Sequence, residues 1–210
     1  MSPKDTIDIG RNPAVVRANA YHALAEAFSS PADWSTTFPE DLSDALLPLG
    51  GELATLACSL VAAASDAMNH RERVSVAHAR LFLGPFEVMA APWASLYLDP
   101  NQRLMGSASL YAAQAYSEAG LGPGSGLMDA PDHIRHELEF MYYLAFEEAT
   151  SGGIEWRERQ RSFWGEHLGR WLPELARAVR LADQDAYYGA LADFLLAFAK
   201  AEKPHLKERL

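Results

Sequence analysis

Four polar residues near the middle of the chain could do chemistry, because carboxylates and imidazoles transfer protons and bind metal ions. Asp132 and His133 follow Pro131, and His136 and Glu137 come about one helical turn later. The two histidines are three residues apart, which is not the His-Glu-x-x-His spacing of helical zinc sites. We therefore expect no metal, and a helical metal-dependent enzyme that uses His133, His136 and Glu137 is kept as the alternative function.

Glu137 falls inside the apolar face of its predicted helix, close to Ile134 and Leu138. An acid among apolar side chains needs a partner, and His133, one turn earlier, is the nearest candidate. We therefore predict a structural polar pair of His133 and Glu137. A second interpretation stays open, in which Asp132 and His133 face a peptide-binding groove from the first helical turn.

Two further residues are expected to be structural. His78 stands where the apolar face of its helix calls for a hydrophobic residue, and we interpret it as a partly buried, hydrogen-bonded core histidine. Cys58 is the one cysteine, which excludes an internal disulfide and a cysteine-based metal site. It lies in the apolar run 53–58, so we predict a buried thiol.

The elements that must position these residues are helices, because apolar residues recur every three or four positions along most of the chain. The first such stripe stops before Pro31, and no stretch alternates apolar and polar residues convincingly. We predict an all-α fold, a bundle of about eight helices. The predicted helices cover 21–28, 53–68, 74–82, 104–119, 132–150, 155–171, 173–182 and 185–201.

Two segments interrupt the helices. Residues 84–100 place aromatic side chains between prolines and predict a non-helical loop that either caps the bundle or walls a ligand groove. Residues 120–130 are rich in glycine and predict a flexible hinge. We interpret 1–210 as a single domain, which this hinge could subdivide.

Composition excludes several classes of protein. Eighteen Lys and Arg against 28 Asp and Glu give a net charge of −10, which repels nucleic acids and attracts basic peptides. No nucleophile elbow, phosphate loop or dinucleotide fingerprint occurs in the sequence. The N-terminal residues lack the apolar core of a secretory signal, and no apolar run is long enough to span a bilayer. The sequence therefore predicts a cytoplasmic protein without stable membrane insertion.

A series of short motifs makes the chain recognisable. In order they are Tyr21-x-x-Leu24-Ala25-x-x-Phe28, Leu81-Phe82-Leu83-Gly84-Pro85, Ala91-Pro92-Trp93-Ala94-Ser95-Leu96-Tyr97-Leu98-Asp99, Leu104-Met105-Gly106, Tyr116 to Leu121, Pro131-Asp132-His133-Ile134, Glu137-Leu138-Glu139-Phe140-Met141 and Phe163-Trp164-x-x-His167-Leu168-x-x-Trp171-x-Pro173. In this order they resemble the TorD/DmsD/NarJ family of redox-enzyme maturation chaperones, and its DmsD-like branch in particular.

The resemblance implies an all-helical cytoplasmic chaperone with no catalytic activity and no cofactor. Such a protein binds the twin-arginine signal peptide of the catalytic subunit of a molybdopterin-dependent oxidoreductase and assists its maturation before export. We expect a monomer or a domain-swapped dimer. The peptide-binding residues carried over from the family are Leu81, Phe82, Trp93, Tyr97, Gly106, Pro131, Asp132 and His133.

The physical character of these residues agrees with such a ligand, which offers two guanidinium groups followed by an apolar segment. Leu81, Phe82, Trp93 and Tyr97 suit the apolar part, and Asp132 suits an arginine. The chain departs from the family at His78, where an aromatic residue is common. It also has Ala91 and Ala94 where some relatives have a second proline and a glutamate, and we expect this to alter partner choice.

Overall fold

Helices make up the regular structure of the computed structural model, which describes residues 12–84, 88–122, 130–182 and 185–206. The α-helices are α1 (Pro13–Ala27), α2 (Phe38–Leu46), α3 (Gly51–Asn69), α4 (Arg71–His78), α5 (Ser95–Leu98), α6 (Ser107–Glu118), α7 (Ile134–Ser151), α8 (Ile154–Phe163), α9 (Gly169–Ala182) and α10 (Ala186–His205). A 3₁₀ turn covers Leu47–Leu49, and π-helical turns cover Ala79–Leu83 and Trp164–Leu168. No strand occurs within the described ranges, so the predicted all-α fold is confirmed.

The boundaries differ from the sequence prediction in places. The short helices α2 and α5 form where no helix was predicted, and α6 begins at residue 107 rather than 104. The predicted helix over 155–171 is divided between α8, the second π-helical turn and the start of α9. Most of the predicted hinge, residues 123–129, lies outside the described part of the chain.

Local signals explain where α1 begins and where α7 ends. Asn12 has extended backbone angles, and its side-chain Oδ1 accepts a hydrogen bond from Ala14 N at 3.0 Å, directly before Pro13. This is the usual combination of an N-cap amide and a proline in the first helical position. The C-cap residue of α7 is Gly152, whose φ of 69° is left-handed and therefore favours glycine.

The core is built around α1 and α10. Small residues on α1, among them Ala18, Ala20 and Ala25, are fully buried and let neighbouring helices approach closely. α1 runs antiparallel to α7, because the His22 ring lies 5.0 Å from that of Tyr142 while Glu26, further along α1, is ion-paired to Arg135 near the start of α7. None of the helices in the described ranges has the length and hydropathy needed to cross a bilayer.

Cys58 corrects one sequence prediction, because its side chain is exposed rather than buried. α3 turns Ala57, Leu60 and Ala64 into the core, and Cys58 is one residue off that stripe. The apolar run around Cys58 therefore reflects composition, whereas the helical phase decides burial.

A buried ionic cluster connects three helices of the core. The Arg17 guanidinium donates to Glu202, with Nη2 2.6 Å from Oε2, and the Tyr21 hydroxyl donates to the same carboxylate oxygen at 2.6 Å. Arg17 Nη1 also donates to Gln160 Oε1 at 3.1 Å. Burial opposes the charged guanidinium, but the carboxylate of Glu202 outweighs it and raises the pKa of Arg17. The cluster thus joins α1, α8 and α10, and the sequence pattern gave no sign of it.

We predict that Glu202→Ala lowers the free energy of unfolding by about 3–5 kcal/mol, because it leaves the Arg17 charge buried without a counter-ion. Glu174→Ala is the control, since Glu174 forms an ion pair with Arg177 in which both side chains are more than half exposed, and it should change stability by under about 1 kcal/mol. Chemical denaturation measures both. Equal effects of the two substitutions would contradict a structural role for the cluster.

Candidate functional site

Two segments that are distant in sequence meet beside the start of α7. Ala94 N donates to the Asp132 carbonyl at 2.9 Å, and Ile134 N donates to the Pro92 carbonyl at 2.8 Å. These bonds form an isolated antiparallel bridge between Trp93 and His133. We call this contact of 92–95 with 131–134 the junction. It brings together two of the motifs that the sequence analysis singled out.

Trp93 and His133 are the half-buried side chains at the centre of the junction. Their ring centroids are 5.8 Å apart in an edge-to-face arrangement. The Pro131 carbonyl accepts a hydrogen bond from the Tyr116 hydroxyl at 2.8 Å, which anchors the junction to α6. The structure therefore places Trp93, Pro131 and His133 together, as a common binding role requires.

Asp132 lies beneath this surface and is fully buried. Its carboxylate accepts hydrogen bonds from Ser95 N at 2.7 Å and from Ser109 Oγ at 2.5 Å. The expectation that Asp132 faces a ligand is therefore wrong. The helix that begins two residues later turns this carboxylate inward, where it satisfies the first amide of α5 and a hydroxyl of α6.

Glu137 is fully buried, as its place in the apolar face predicts, but its partner is not His133. One carboxylate oxygen lies 2.6 Å from His167 Nε2, and the other accepts a hydrogen bond from Trp171 Nε1 at 2.9 Å. The predicted pair of His133 and Glu137 is wrong, because His133 is the N-cap residue of α7 and its Nδ1 accepts a hydrogen bond from Arg135 N at 3.2 Å. Burial raises the pKa of Glu137 to about 7, and the hydrogen bonds from His167 and Trp171 oppose that rise.

The residues of the metal-enzyme alternative do not converge. The His133 ring contacts His136 at 5.8 Å between centroids, whereas Glu137 is bonded to groups of the second π-helical turn and α9. Within the described ranges, no group of three or more His, Cys, Asp or Glu side chains is arranged to hold a metal ion. The geometry therefore gives no support to metal chemistry at these residues.

Other predicted binding residues have supporting positions. Leu81 and Phe82 are buried in the first π-helical turn, and the Leu81 carbonyl accepts a hydrogen bond from Ala90 N at 2.9 Å. Tyr97 is half-buried and packs its ring on Trp171 at 5.4 Å. The bond to the Leu81 carbonyl thus holds the loop 88–94, and the contact of Tyr97 with Trp171 holds α5.

Gly106 is required by a close approach of the chain to itself. A Cβ at this position would collide with the Asp99 carboxylate. That carboxylate accepts hydrogen bonds from Ser107 Oγ at 2.5 Å and Ala108 N at 3.1 Å, and so caps α6. Gly106 therefore lets the loop fold tightly onto the start of α6.

The sequence analysis missed an acidic groove, because it predicted no α2. A cavity of about 520 Å³ lies between α1 and α2. Its charged lining residues are the acids Glu26, Asp33, Asp41 and Asp44, with Phe38, Leu42 and Ala45 as apolar walls. Pro39 at the start of an apolar stripe and the acids at 40 and 41 were the available helix signals.

The acidic groove and the junction are neighbours. Glu26 Oε1, at the edge of the groove, is ion-paired at 3.3 Å to Arg135 Nη2, and Arg135 follows His133 by two residues. The ion pair of Glu26 with Arg135 thus links a lining residue of the acidic groove to the first turn of α7, next to His133. This combination suits a basic head joined to an apolar tail.

Comparisons with known proteins agree with the motif pattern. The sequence profile of the family described as nitrate reductase delta subunit matches residues 45–177. The chaperone protein TorD of Shewanella amazonensis is 34% identical over 58% of this chain and 57% of its own length. The Tat proofreading chaperone DmsD of Salmonella typhi is 27% identical over 67% of this chain and 59% of its own length. The alignment with a solved structure from Archaeoglobus fulgidus, 22% identical in sequence, covers 91% of this chain and 94% of that chain with a TM-score of 0.49.

The match to the family profile covers more than half of the chain and therefore shows the family. The chain belongs to the nitrate reductase delta subunit family, which includes the TorD and NarJ chaperones. Its matches to the curated relatives span somewhat less than two thirds of their length. Both TorD and DmsD proteins are among these relatives, so the DmsD-like branch stays a prediction.

We predict that Glu137→Ala lowers the free energy of unfolding by about 2–4 kcal/mol, because His167 and Trp171 lose their buried acceptor. The matched control on the same helix is Glu139→Ala, whose side chain is 45% exposed and 3.9 Å from Arg135. Thermal melts of the two variants compare the loss of the buried carboxylate with the loss of the exposed one. A wild-type melting temperature for Glu137→Ala would show that the buried carboxylate is dispensable.

The core position of His78 is confirmed, since it is 9% exposed and its Nδ1 lies 3.0 Å from the Tyr188 hydroxyl. Burial, helped by the nearby charge of Arg135, lowers the pKa of His78 to about 4. The folded protein therefore binds fewer protons than the unfolded chain between pH 6.5 and about 4, and stability contributed by neutral His78 is lost as the pH falls through this window.

We predict that His78→Phe removes this loss. On acidification from pH 6.5 to 4.5 the variant should lose about 1–3 kcal/mol less unfolding free energy than the wild type. Urea denaturation at a series of pH values measures the difference. Parallel curves for the two proteins would contradict the assignment of the acid-sensitive group to His78.

Proposed function

We propose that this chain is a cytoplasmic maturation chaperone that binds the twin-arginine signal peptide of a molybdopterin-dependent oxidoreductase and holds its client until assembly is complete. The one observation that carries the proposal is the adjacency of the acidic groove to the junction. Membership of the redox-enzyme maturation family supports the same ligand class. Binding without chemistry is sufficient for this role, so we infer that the chain is not an enzyme and uses no cofactor.

The basic part of the ligand binds in the acidic groove, and its apolar part binds at the junction. Two guanidinium groups lie against the carboxylates of Asp33 and Asp44, which make no ion pair with any described residue. The apolar segment that follows them packs over Trp93 and His133. Charge-assisted hydrogen bonds to the arginines give orientation, and the apolar contact contributes most of the buried area.

Asp132 and Gly106 serve this site by positioning. The Asp132 carboxylate holds α5 and α6 against the residues before α7, which fixes the relative placement of Trp93 and His133. Gly106 permits the tight loop that precedes α6. Leu81 and Phe82 support the other end of the loop. In this proposal these residues act without touching the peptide.

The chain functions as a monomer or as a dimer that exchanges helices across residues 120–130. Its net charge of −10 is compatible with a basic leader and not with nucleic acid. The family membership and the absence of a bilayer-length helix in the described ranges agree with a chaperone that acts before export.

We predict that an Arg-Arg leader peptide binds with a dissociation constant of about 1 μM, that is about 8 kcal/mol. The double variant Asp33→Asn with Asp44→Asn should weaken this binding at least about tenfold, since two charge-assisted contacts are lost. Its melting temperature should not change, because both side chains are exposed. Isothermal calorimetry with the leader of a reductase encoded near this gene provides the measurement.

The control variant is Glu52→Gln with Glu72→Gln, which removes the same charge from exposed positions outside the groove. A leader in which both arginines are replaced by glutamine controls for the peptide. Equal weakening by both double variants would show that the effect comes from the net charge of the protein and not from the acidic groove. The absence of any heat of binding for the Arg-Arg leader would refute the proposed function.

A further inference from the structure

A second groove carries the opposite charge from the rest of the protein. This cavity of about 510 Å³ is bordered by the second π-helical turn, α9 and α10. Its charged lining residues are all cations, namely Arg161, Arg170, Arg177, Lys200 and Lys203. The full chain has 18 Lys and Arg and a net charge of −10, so five cations in one groove are a local concentration of positive charge on an acidic protein. We call it the basic groove.

Most of this charge is available to a ligand. Arg170, Lys200 and Lys203 are exposed and form no ion pair with any described residue. Arg177 is bonded to Glu174, but both side chains are more than half exposed and the pair is screened by water. Arg161 Nε donates to the Leu206 carbonyl at 2.8 Å, which fixes this side chain at the wall of the groove.

The floor between the cations is apolar. Trp164 is 5% exposed and forms its base together with Pro173, Leu196 and Leu206. Gly165 also lines the groove, and a Cβ there would meet nothing within 4 Å. The groove thus combines a shallow apolar strip with cationic edges, which is the complement of an amphipathic anionic segment.

The spacing of the cations selects an extended ligand over a small one. Arg170 and Arg177 are seven residues apart on α9, which corresponds to about 10 Å along the helix axis. Lys200 and Lys203 lie about one turn apart on α10. A single phosphate group could contact one part of this array, whereas a segment with several carboxylates can neutralise it along its whole length.

The geometry points to the basic groove as a docking surface for an acidic, amphipathic segment of a protein partner. The segment presents apolar side chains to Trp164 and Leu196 and carboxylates to the cations on α9 and α10. A twin-arginine leader carries the wrong charge for this groove. The inference is therefore independent of the proposed leader site, and the two ligands bind at the same time.

The test uses a fluorescein-labelled synthetic peptide of fourteen residues in which pairs of Glu alternate with pairs of Leu, with fluorescence anisotropy as the readout. A second peptide has Gln in place of every Glu. We expect the Glu peptide to bind and the Gln peptide to bind at least about tenfold more weakly. The double variant Arg170→Glu with Lys200→Glu should lose at least about tenfold in affinity for the Glu peptide.

The matched control is Arg80→Glu with Arg103→Glu, which makes the same change of charge at exposed positions outside the basic groove. It should retain affinity within about twofold of the wild type. If the Arg170 and Lys200 reversals fail to fold, Lys200→Ala with Lys203→Ala replaces them, with a loss of binding again expected. Equal loss in groove and control variants would overturn the inference, as would full displacement of the peptide by micromolar inorganic triphosphate, which would indicate a site for small anions. Retained leader binding by the groove variants would confirm that the two sites are separate.

Discussion

The organisation of the candidate site depends on one buried carboxylate. Asp132 precedes the N-cap of α7, and its two oxygens take hydrogen bonds from Ser95 N and Ser109 Oγ. The residues before α7 are thereby joined to α5 and to α6. A fully buried acid is tolerated only where its hydrogen bonds are made, and this requirement fixes where the loop 88–94 can lie on the bundle. The bridge between Trp93 and His133 follows from that placement.

A second buried acid, Glu137, stands in the first turn of α7, five residues after Asp132. Glu137 fixes the face of α7 against His167 and Trp171, and Trp171 in turn supports the Tyr97 ring. The two carboxylates therefore bond to different elements. Asp132 bonds to α5 and α6, and Glu137 bonds to the second π-helical turn and α9.

Sequence patterns predicted the helices and the burial of Glu137, because both depend on a local period. They did not predict the partner of Glu137, since His167 lies 30 residues away and only tertiary packing brings it close. The pairing with His133 failed because an N-cap residue is extended and does not follow helical geometry. The prediction that Asp132 faces a ligand was wrong for a related reason. The residues before a helix have no period from which burial can be predicted. The sequence analysis missed the acidic groove because it did not predict α2, whose nine residues are too few for a clear period.

The hydrogen bond between the Tyr116 hydroxyl and the Pro131 carbonyl has a consequence for engineering. It joins α6 to the start of α7 from outside the intervening segment 117–130, and the Leu121 amide adds a bond back to the Tyr116 carbonyl at 2.9 Å. The position of Pro131, and of the junction that follows it, therefore depends on a side chain of another helix. A redesign of α6 that removed the Tyr116 hydroxyl would alter the surface around Trp93 without changing any residue of that surface.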